Sequence, residues 1–388
     1  MIYKDLCGEK VSELGFGTMR LPTLSDGNVD FEETERIIDT AVSSGVNYFD
    51  TAWPYHSGDS ERVVGRILGK YPRDSYYLAN KYPGHQTADS YDPKGLFETQ
   101  LKKCGVEYFD FYLLHNVCEN SLSVYTDERW GIIDYFIEQK KLGRIRHLGF
   151  STHGGVEMIK DFLDAYGEHM EFCQIQLNYL DDTLQNAAAK YSLLTERGIP
   201  VIVMEPLRGG KLAKLDPETE GRLKEMRPEA SSASWAMRWL QSYHNISVIL
   251  SGMSTMDQLL DNVKTFSSEE PLSEAERDYI ASVAEGMKDS LPCTSCRYCV
   301  DGCPMELDIP MMIGIYNELR YQASPVTTMR LDSLDESKLP SACISCGACS
   351  NICPQKIDIP KALADLSEKY EKMPRWVDIC RERAALQK

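Results

Sequence analysis

The 388-residue sequence lacks several features, and each absence narrows the class of protein. The N-terminal segment from Met1 to Cys7 has no apolar run of signal-peptide length, and no later segment approaches the length of a membrane span. Basic residues are scarce, with 42 Lys and Arg against 59 Asp and Glu and a formal net charge of −17. Because nucleic acids and anionic membranes are polyanions, this charge argues against both as partners. We therefore expect a cytoplasmic protein.

A complete glycine-rich dinucleotide turn is also missing. Gly15-Phe16-Gly17 lies in the first predicted barrel strand, but the third glycine of the Gly-x-Gly-x-x-Gly pattern does not follow. This absence disfavours a doubly wound open sheet. Instead, eight strand–helix pairs follow one another, and a strand followed by a crossover helix builds a parallel sheet. The sequence therefore predicts an α/β fold, a closed (β/α)8 TIM barrel.

Hydrophobic periodicity places the elements of this barrel. After a short hairpin that turns at Gly8, strands are predicted at Leu14–Met19, Asn47–Asp50, Tyr76–Lys81, Phe109–His115, Ile145–Ser151, Phe172–Asn178, Pro200–Pro206 and Ser247–Gly252. Helices are predicted at Phe31–Ser44, Ser60–Leu68, Tyr91–Cys104, Trp130–Lys141, Val156–Tyr166, Asp182–Arg197, Ser232–Gln241 and Thr255–Thr265. We expect residues 1–270 to form the barrel and residues 271–388 to form C-terminal helices with a second domain.

Three consecutive predicted strands end in an ionisable residue. Asp50 closes the second strand, Lys81 the third and His115 the fourth, and Tyr55 lies in the loop just beyond Asp50. Active sites of such barrels lie at the C-terminal ends of the strands. One such residue alone is more often structural, but four of them at consecutive strand ends are expected to converge on one active site.

The four side chains are suited to proton donation to a carbonyl oxygen. A phenol with an unperturbed pKa of about 10 is a weak acid at neutral pH. An adjacent ammonium lowers the pKa of a phenol by favouring the phenolate, and a carboxylate holds that ammonium in place. Tyr55, Lys81 and Asp50 supply these groups, and a neutral His115 would orient the carbonyl. The predicted reaction delivers a proton to the carbonyl oxygen and a hydride to its carbon.

These motifs resemble those of the aldo-keto reductases over residues 1–266. The resemblance rests on Asp50-Thr51-Ala52 with Tyr55, on Lys81, on His115 and on Gly149-Phe150-Ser151. It implies that Tyr55 is the general acid and that Lys81 tunes it. It also implies that Asp50 anchors Lys81 and that His115 positions the substrate.

The family binds NADPH along the barrel mouth, so the resemblance implies a set of cofactor contacts. Ser151 and Gln176 match the residues that hold the carboxamide, and Asp261-Asn262 resembles the pair that holds adenine. The loop Pro206–Leu212 resembles the one that covers the pyrophosphate, where glycines let the backbone approach phosphate. The implied cofactor-binding residues are Ser151, Gln176, Leu207, Gly209, Gly210, Ser254, Asp261 and Asn262.

The sequence departs from the family pattern at three points, so the identity of the nicotinamide cofactor is not fixed by the resemblance. Thr152 stands where the family usually has Asn, and Met204 stands where many members stack a Tyr on the nicotinamide. Residues 252–262 contain no Lys or Arg, although NADP-preferring members place basic residues there. The hydroxyls of Ser254 and Thr255 are weaker donors to a phosphate. NADP(H), NAD(H) and no nicotinamide at all therefore remain alternatives.

Eight of the 13 cysteines form two runs near the C-terminus. The first run consists of Cys293, Cys296, Cys299 and Cys303, and the second of Cys343, Cys346, Cys349 and Cys353. Each has the spacing C-x2-C-x2-C-x3-C-P of bacterial ferredoxins. Zinc does not need this triple spacing before a proline, and disulfides are disfavoured in the cytoplasm, so two 4Fe-4S clusters are predicted. The cysteines expected to be buried or unreactive are Cys7, Cys104, Cys118, Cys173 and Cys380.

The two runs are expected to form one small, mainly helical ferredoxin-type domain. In two-cluster ferredoxins the fourth cysteine of each run ligates the other cluster, so Cys353 would join the first cluster and Cys303 the second. Ile309-Pro310 and Ile359-Pro360 follow the runs at the same offset, which supports an internal duplication. Helices are predicted at Leu272–Met287, Met311–Arg320, Lys361–Tyr370 and Trp376–Leu386. The whole chain resembles the aldo-keto reductases that carry a C-terminal ferredoxin domain.

Three functions are compatible with these patterns. The first is an oxidoreductase that reduces a carbonyl, or oxidises the alcohol, with a nicotinamide cofactor, while the clusters exchange electrons or dock a partner. The second is a ferredoxin-linked reductase that passes single electrons to a substrate in the barrel without nicotinamide. The third is a non-catalytic redox or regulatory subunit. Expected partners are a small carbonyl or alcohol and either ferredoxin or another redox protein.

Overall fold

The computed structural model describes the chain except for residues 87–89, 119–120, 185, 288–289, 322–327, 329–330, 333 and 376–388. The chain divides into two compact units, Met1–Ala281 and Ser282–Lys388. The first unit contains the predicted barrel, and the second contains both cysteine runs.

Within the described residues, eight parallel strands close into a barrel, which confirms the predicted fold. An antiparallel hairpin precedes it, formed by Tyr3–Leu6 (β1) and Glu9–Ser12 (β2). The barrel strands are Leu14–Gly17 (β3), Tyr48–Asp50 (β4), Tyr77–Tyr82 (β5), Phe109–Leu114 (β6), Ile145–Thr152 (β7), Cys173–Gln176 (β8), Val201–Met204 (β9) and Ile246–Ser251 (β10). Each strand pairs with the next one in the chain, and β10 closes the barrel against β3.

The barrel interior explains why its strands are nearly continuous apolar runs. Both faces of a parallel barrel are covered, so neither face needs polar residues. Tyr48, Phe111, Phe172 and Val248 pack together with the hairpin residue Val11, and none of the five has exposed surface. The hairpin therefore closes the N-terminal end of the barrel, opposite the strand ends that carry the predicted catalytic residues.

Helices alternate with these strands around the first unit. They are Phe31–Ser43 (α1), Ser60–Leu68 (α2), Pro93–Cys104 (α3), Leu122–Tyr125 (α4), Ile132–Lys141 (α5), Val156–Tyr166 (α6), Asp181–Leu184 (α7), Ala187–Glu196 (α8), Pro217–Met226 (α9), Ser232–Leu240 (α10), Met256–Thr265 (α11) and Glu274–Gly286 (α12). Most follow the expected positions within two residues. Asp30, Asp92, Ser231 and Thr255 cap four of them by accepting a backbone N–H with the side chain.

Two helix predictions need correction. The single helix predicted over Asp182–Arg197 is wrong, because α7 and α8 are separate and Asn186 between them has a left-handed φ of 53°. No helix was predicted in the polar segment after β9, but this segment contains α9. Asp216 caps α9 by accepting from Glu218 N and Thr219 N. Only Leu223 of α9 is buried, so the helix has too few apolar positions to show a helical period.

The second unit is small and mainly helical, as predicted. Its helices are Tyr298–Asp301 (α13), Ile309–Tyr321 (α14), Ala348–Ile352 (α15) and Ile359–Glu371 (α16). The two long helices begin at the repeated Ile-Pro pairs, and the Tyr316 hydroxyl of α14 donates to the Asp365 carboxylate of α16. The unit has its own apolar core, with Ile313 and Leu363 fully buried. The helix predicted at Trp376–Leu386 lies outside the described residues.

No helix in the part of the chain that the structure describes is long and apolar enough to cross a bilayer.

Candidate active site

Three neighbouring strands carry the predicted catalytic residues to one end of the barrel. Asp50 is the last residue of β4, Lys81 lies near the end of β5, and His115 directly follows β6. β4 pairs in parallel with β5, and β5 with β6, so these strand ends meet at the same edge. Tyr55 begins the short turn Tyr55–Gly58 in the loop between β4 and α2, and the chain kinks inside this turn because His56 and Ser57 have left-handed φ.

The Lys81 ammonium is the centre of this site. It contacts the Asp50 carboxylate, donates to the Thr51 carbonyl oxygen at 2.9 Å and lies 3.5 Å from the Tyr55 hydroxyl. Lys81 has no exposed surface and Asp50 is 2% exposed, whereas Tyr55 is half-buried. The structure thus brings together the carboxylate, ammonium and phenol in the order expected from the sequence.

Burial and charge pairing act in opposite directions on this ion pair. Burial lowers the pKa of the Lys81 ammonium, and the Asp50 carboxylate opposes that shift. Burial likewise raises the pKa of Asp50, and the Lys81 ammonium opposes that shift. Neither charge has bulk water to stabilise it, so each depends on the other.

Side chains from α2 and α3 fix the loop that carries Tyr55. The Lys103 ammonium of α3 donates to the Gly58 carbonyl at 3.0 Å and to Glu61 at 2.9 Å, and it lies 3.8 Å from the centroid of the Trp53 ring. His56 has a left-handed φ of 51°, and its Nε2 atom accepts the Leu21 N–H at 3.1 Å. The phenol is therefore presented from a loop tied down on both sides.

His115 is buried, and it lies in a group of three imidazoles with the partly buried His85 and His153. Its ring centroid is 6.1 Å from that of Tyr55, in an edge-to-face arrangement, and 4.4 Å from that of His85. Burial, followed by the nearby His85, Lys81 and His153, lowers the pKa of His115 well below its usual value. His115 is therefore neutral at physiological pH and can hydrogen-bond a carbonyl oxygen without transferring a full proton.

Sequence reasoning missed His85 and His153 as parts of this site. Burial is the main cause that lowers the pKa of His85 to about 4 and that of His153 to about 3. Their positions in the sequence could have indicated this role. His85 lies four residues after Lys81 and His153 lies two residues after Ser151, and both are just beyond strand ends.

The cysteines of the first predicted cluster meet in the second unit. Cys293, Cys296, Cys299 and Cys353 line one cavity, so a cysteine from the second run joins three from the first. Two cysteines of the second predicted cluster are also close together. Burial, and to a smaller extent the nearby Cys343, raises the pKa of the Cys349 thiol. Cys303 follows α13, which packs against the α15 helix that carries Cys349.

Comparison with known proteins supports both units. The sequence profile of the aldo/keto reductase family matches residues 13–285, and that of a 4Fe-4S dicluster domain matches residues 292–357. The chain belongs to the aldo/keto reductase family. This membership confirms the predicted family and identifies an oxidoreductase that carries an iron–sulfur domain.

Relatives of this aldo/keto reductase have varied names. It is 25% identical over 324 residues to the NADH-specific methylglyoxal reductase of Escherichia coli (strain K12), covering 72% of this chain and 96% of the relative. This chain is also 25% identical over 292 residues to the L-galactose dehydrogenase of Arabidopsis thaliana. That alignment covers 68% of this chain and 87% of the relative. The holo form of the aldo-keto reductase AKR11C1 from Bacillus halodurans superimposes with a TM-score of 0.58 at 27% identity, covering 73% of this chain and 96% of that one.

The positions expected to hold a nicotinamide carboxamide already have protein partners in this reductase. The Ser151 hydroxyl accepts the Asn116 N–H at 2.8 Å, which leaves its own O–H as a donor. The Gln176 amide donates to Asp181 at 2.7 Å. Both side chains are almost fully buried at the ends of β7 and β8.

The residues expected to hold the adenosine end have local partners as well. Asn262 is buried in α11 and donates to the Ser251 hydroxyl at 2.9 Å, while Asp261 accepts from Ser231 at 2.6 Å. Ser254 donates to the Arg20 carbonyl at 2.6 Å. These three residues are therefore structural in the conformation described, and their cofactor role stays a prediction.

The loop after β9 contains a buried cation that the sequence analysis overlooked. Arg208 has a left-handed φ of 47°, followed by Gly209 and Gly210 at 68° and 94°. Its guanidinium donates from Nε to Asp181 at 3.1 Å, and the side chains of both residues have no exposed surface. Among the described residues, neither Nη1 nor Nη2 of Arg208 has a hydrogen-bond partner. A buried guanidinium with two nitrogen atoms that lack a hydrogen-bond partner is suited to an anionic ligand.

The buried imidazoles predict acid sensitivity of the barrel. Free histidine has a pKa near 6.5, so the unfolded chain takes up protons there, whereas folded His85 and His153 stay neutral to about pH 4 and 3. Because the unfolded state binds more protons, the free energy of unfolding should fall as the pH drops from 6.5 towards 4. Replacing His85 by glutamine should reduce this slope by ~1.4 kcal/mol per pH unit.

Anaerobic urea unfolding followed by tryptophan fluorescence between pH 7 and 5 measures this slope. His169, on the barrel surface, offers the control substitution His169→Gln. The same slope in wild type and His85→Gln would contradict the burial of a neutral imidazole.

Proposed function

We propose that this protein reduces a carbonyl group, or oxidises the corresponding alcohol, with a nicotinamide cofactor and with Tyr55 as the general acid. The supporting observation is the buried Lys81 ammonium, held between Asp50 and the Tyr55 hydroxyl. An ammonium beside a phenol stabilises the phenolate that remains after the proton has left.

The protein side chains divide the chemistry in the following way. A carbonyl oxygen that accepts from Tyr55 and from neutral His115 is polarised, which prepares its carbon for hydride. Tyr55 transfers its proton to that oxygen as negative charge develops there, and Lys81 stabilises the phenolate. In the reverse direction the phenolate takes the proton from the alcohol. A bound nicotinamide supplies or accepts the hydride.

The residues at the barrel mouth fit such a cofactor. Gly210 has positive φ, and no other group lies within 4 Å of where its Cβ would be, so the backbone can approach a phosphate closely. Arg208, two residues before Gly210, has Nη1 and Nη2 without a hydrogen-bond partner among the described residues, and the Ser151 hydroxyl retains one donor. We therefore assign Leu207, Gly209 and Gly210, together with Arg208, to the pyrophosphate.

NADH is the proposed cofactor, in preference to NADPH. Residues 252–262 contain no cation to pair with a 2′-phosphate. The relative that aligns with 72% of this chain is named an NADH-specific methylglyoxal reductase. Because methylglyoxal is a small 2-oxoaldehyde, compounds of this class are the first substrates to test.

The cluster domain gives the protein a second redox function. A 4Fe-4S cluster carries one electron at a time, and we propose that ferredoxin or another redox protein exchanges electrons at cluster two. Cys346 in its run is exposed, and the adjacent Ile344 and Ile352 are 60% and 49% exposed. A ferredoxin-linked reduction without nicotinamide is the second candidate function. The chain belongs to a family of oxidoreductases, and its tetrad of Asp50, Tyr55, Lys81 and His115 is assembled. A non-catalytic subunit is therefore the weakest alternative.

An anaerobic titration of the cluster-loaded protein with NADH, and separately with NADPH, tests this proposal. Nicotinamide fluorescence reports binding, and electron paramagnetic resonance reports reduced clusters. We expect NADH to bind more tightly than NADPH and to leave the clusters oxidised. Failure of both nicotinamides to bind would contradict the proposal and favour the ferredoxin-linked function.

The crossed cluster ligation is tested by Cys353→Ala. Because Cys353 lines the cavity formed by three cysteines of the first run, its loss should remove cluster one and leave cluster two. Iron content should fall to about half, and the remaining paramagnetic signal should come from one cluster. Cys118→Ser is the matched control in the barrel. Loss of the cluster bound by the second run instead would show that the ligation is not crossed.

A further inference from the structure

Another group of metal-ligating side chains lies at the N-terminal end of the barrel, away from the strand ends of the active site. Cys7 lies in the turn of the β1–β2 hairpin, His147 in β7 and Glu171 just before β8. One potential ligand atom from each lies within 4.8 Å of the others. We propose that Cys7, His147 and Glu171 bind one divalent transition-metal ion, for which zinc is the best match.

Glu171 and His147 are held in place by contacts outside the triad. The Glu171 N–H donates to the Leu148 carbonyl at 2.8 Å, and its Oε2 atom accepts the Leu148 N–H at 3.1 Å. Oε1 is then directed at His147 Nδ1, 3.0 Å away. The His147 ring stacks on Phe111 with centroids 5.0 Å apart. Two of the three ligands therefore need little reorganisation to bind an ion.

Cys7 is an unusual residue for its position. Cys7 and Gly8 form the two-residue turn between β1 and β2, and both have positive φ, 56° and 87°. Such turns favour Asn, Asp or Gly at the first position, because other side chains are strained there. The turn brings Cys7 Sγ within 3.5 Å of the Glu171 carbonyl oxygen. A thiol thus lies, in strained backbone, beside an imidazole and a carboxylate.

Acidic groups outnumber basic groups around this thiol. Glu171, Asp5 and Glu9 lie near Cys7, together with the Lys140 ammonium, which pairs with Glu171. This excess of acidic groups favours a cation. A bound divalent ion would displace the thiol proton to solvent and leave a metal thiolate.

The donor set selects the kind of metal. Thiolate, imidazole and carboxylate together suit Zn²⁺, which takes four ligands in a tetrahedral arrangement. A cavity of about 560 Å³ opens onto Cys7 and Glu171 and gives water access to the fourth position. Glu9 Oε1 lies 3.8 Å from His147 Nε2 and adds negative charge beside the imidazole. The ion would join the hairpin to two barrel strands, which is a structural role.

Zinc content of the cluster-loaded protein tests the proposal. Wild type, Cys7→Ser, His147→Gln and the control Cys118→Ser are incubated anaerobically with Zn²⁺, desalted and analysed for zinc and iron. We expect one more zinc per chain in wild type and Cys118→Ser than in Cys7→Ser or His147→Gln, with equal iron in all four. Zinc should also raise the thermal midpoint of wild type but not of Cys7→Ser.

Zinc-edge anomalous diffraction of the wild type locates the ion directly. A peak between Cys7 and His147 is the expected result. Equal zinc in wild type and Cys7→Ser, no zinc in either, or a peak only at the cluster cysteines would each overturn the proposal. All of these results are independent of carbonyl turnover, so they do not bear on the proposed reductase activity.

Discussion

Tyr55→Phe is expected to lower kcat for carbonyl reduction by a factor of ~10²–10⁴, the usual contribution of a positioned general acid. The variant keeps the ring and its edge-to-face contact with His115 but loses the hydroxyl whose oxygen lies 3.5 Å from Lys81 Nζ. Because the hydroxyl acts only as charge develops on the carbonyl oxygen, kcat and kcat/KM should fall together. Steady-state oxidation of NADH with a 2-oxoaldehyde measures the change.

Two comparisons separate this effect from damage to the fold. NADH affinity should be unchanged in Tyr55→Phe, because the phenol is assigned to the substrate. Tyr71→Phe removes a phenol that hydrogen-bonds Asp39 outside the tetrad, and it should retain full activity. Wild-type kcat in Tyr55→Phe would rule out Tyr55 as the proton donor.

Breaking the Arg208–Asp181 pair is expected to cost ~3–5 kcal/mol of unfolding free energy, because removing one partner leaves an uncompensated charge in the interior. Neither side chain has exposed surface. Arg208→Met and Asp181→Leu should each show this loss. The double variant should lose much less than the sum of the two, since it buries no charge. Urea unfolding monitored by tryptophan fluorescence gives the three values.

The same variants also test the assignment of Arg208 to the cofactor. Arg208→Met should weaken NADH binding, because it removes the two unpartnered guanidinium nitrogens. Arg222→Met breaks a solvent-exposed pair with Glu225 and should change neither stability nor affinity measurably. Additive losses in the double variant would show that Arg208 and Asp181 do not stabilise each other.

The barrel and its tetrad could be predicted because their signals are local. Each of β4, β5 and β6 is a short apolar run that ends at or beside its polar residue, and parallel pairing then brings the three ends together. The cluster cysteines are likewise defined by spacing alone. In both cases the positions of the residues along the chain are enough to predict that their side chains lie close together in the fold.

Contacts between separate elements could not be predicted from the sequence in this way. Asp181 begins α7 and Arg208 lies 27 residues later in the loop after β9, and their sequence neighbourhoods contain nothing that pairs them. Asn186, a described residue between α7 and α8, has a left-handed φ within a segment whose sequence pattern is otherwise helical. The partners of Asn262 and Ser254 also depend on tertiary packing, so the sequence could name these residues but not their orientation.

The fate of deuterium from NADH that carries deuterium at both C4 positions tests most directly whether this reductase uses hydride chemistry. The cluster-loaded protein is given the deuterated cofactor and a 2-oxoaldehyde in ordinary water, and the product is analysed by mass spectrometry and NMR. Direct transfer with Tyr55 as the acid predicts one deuterium on the carbinol carbon and a solvent proton on its oxygen. A carbinol carbon without deuterium would show that the added hydrogen came from solvent, and it would contradict hydride transfer in the barrel.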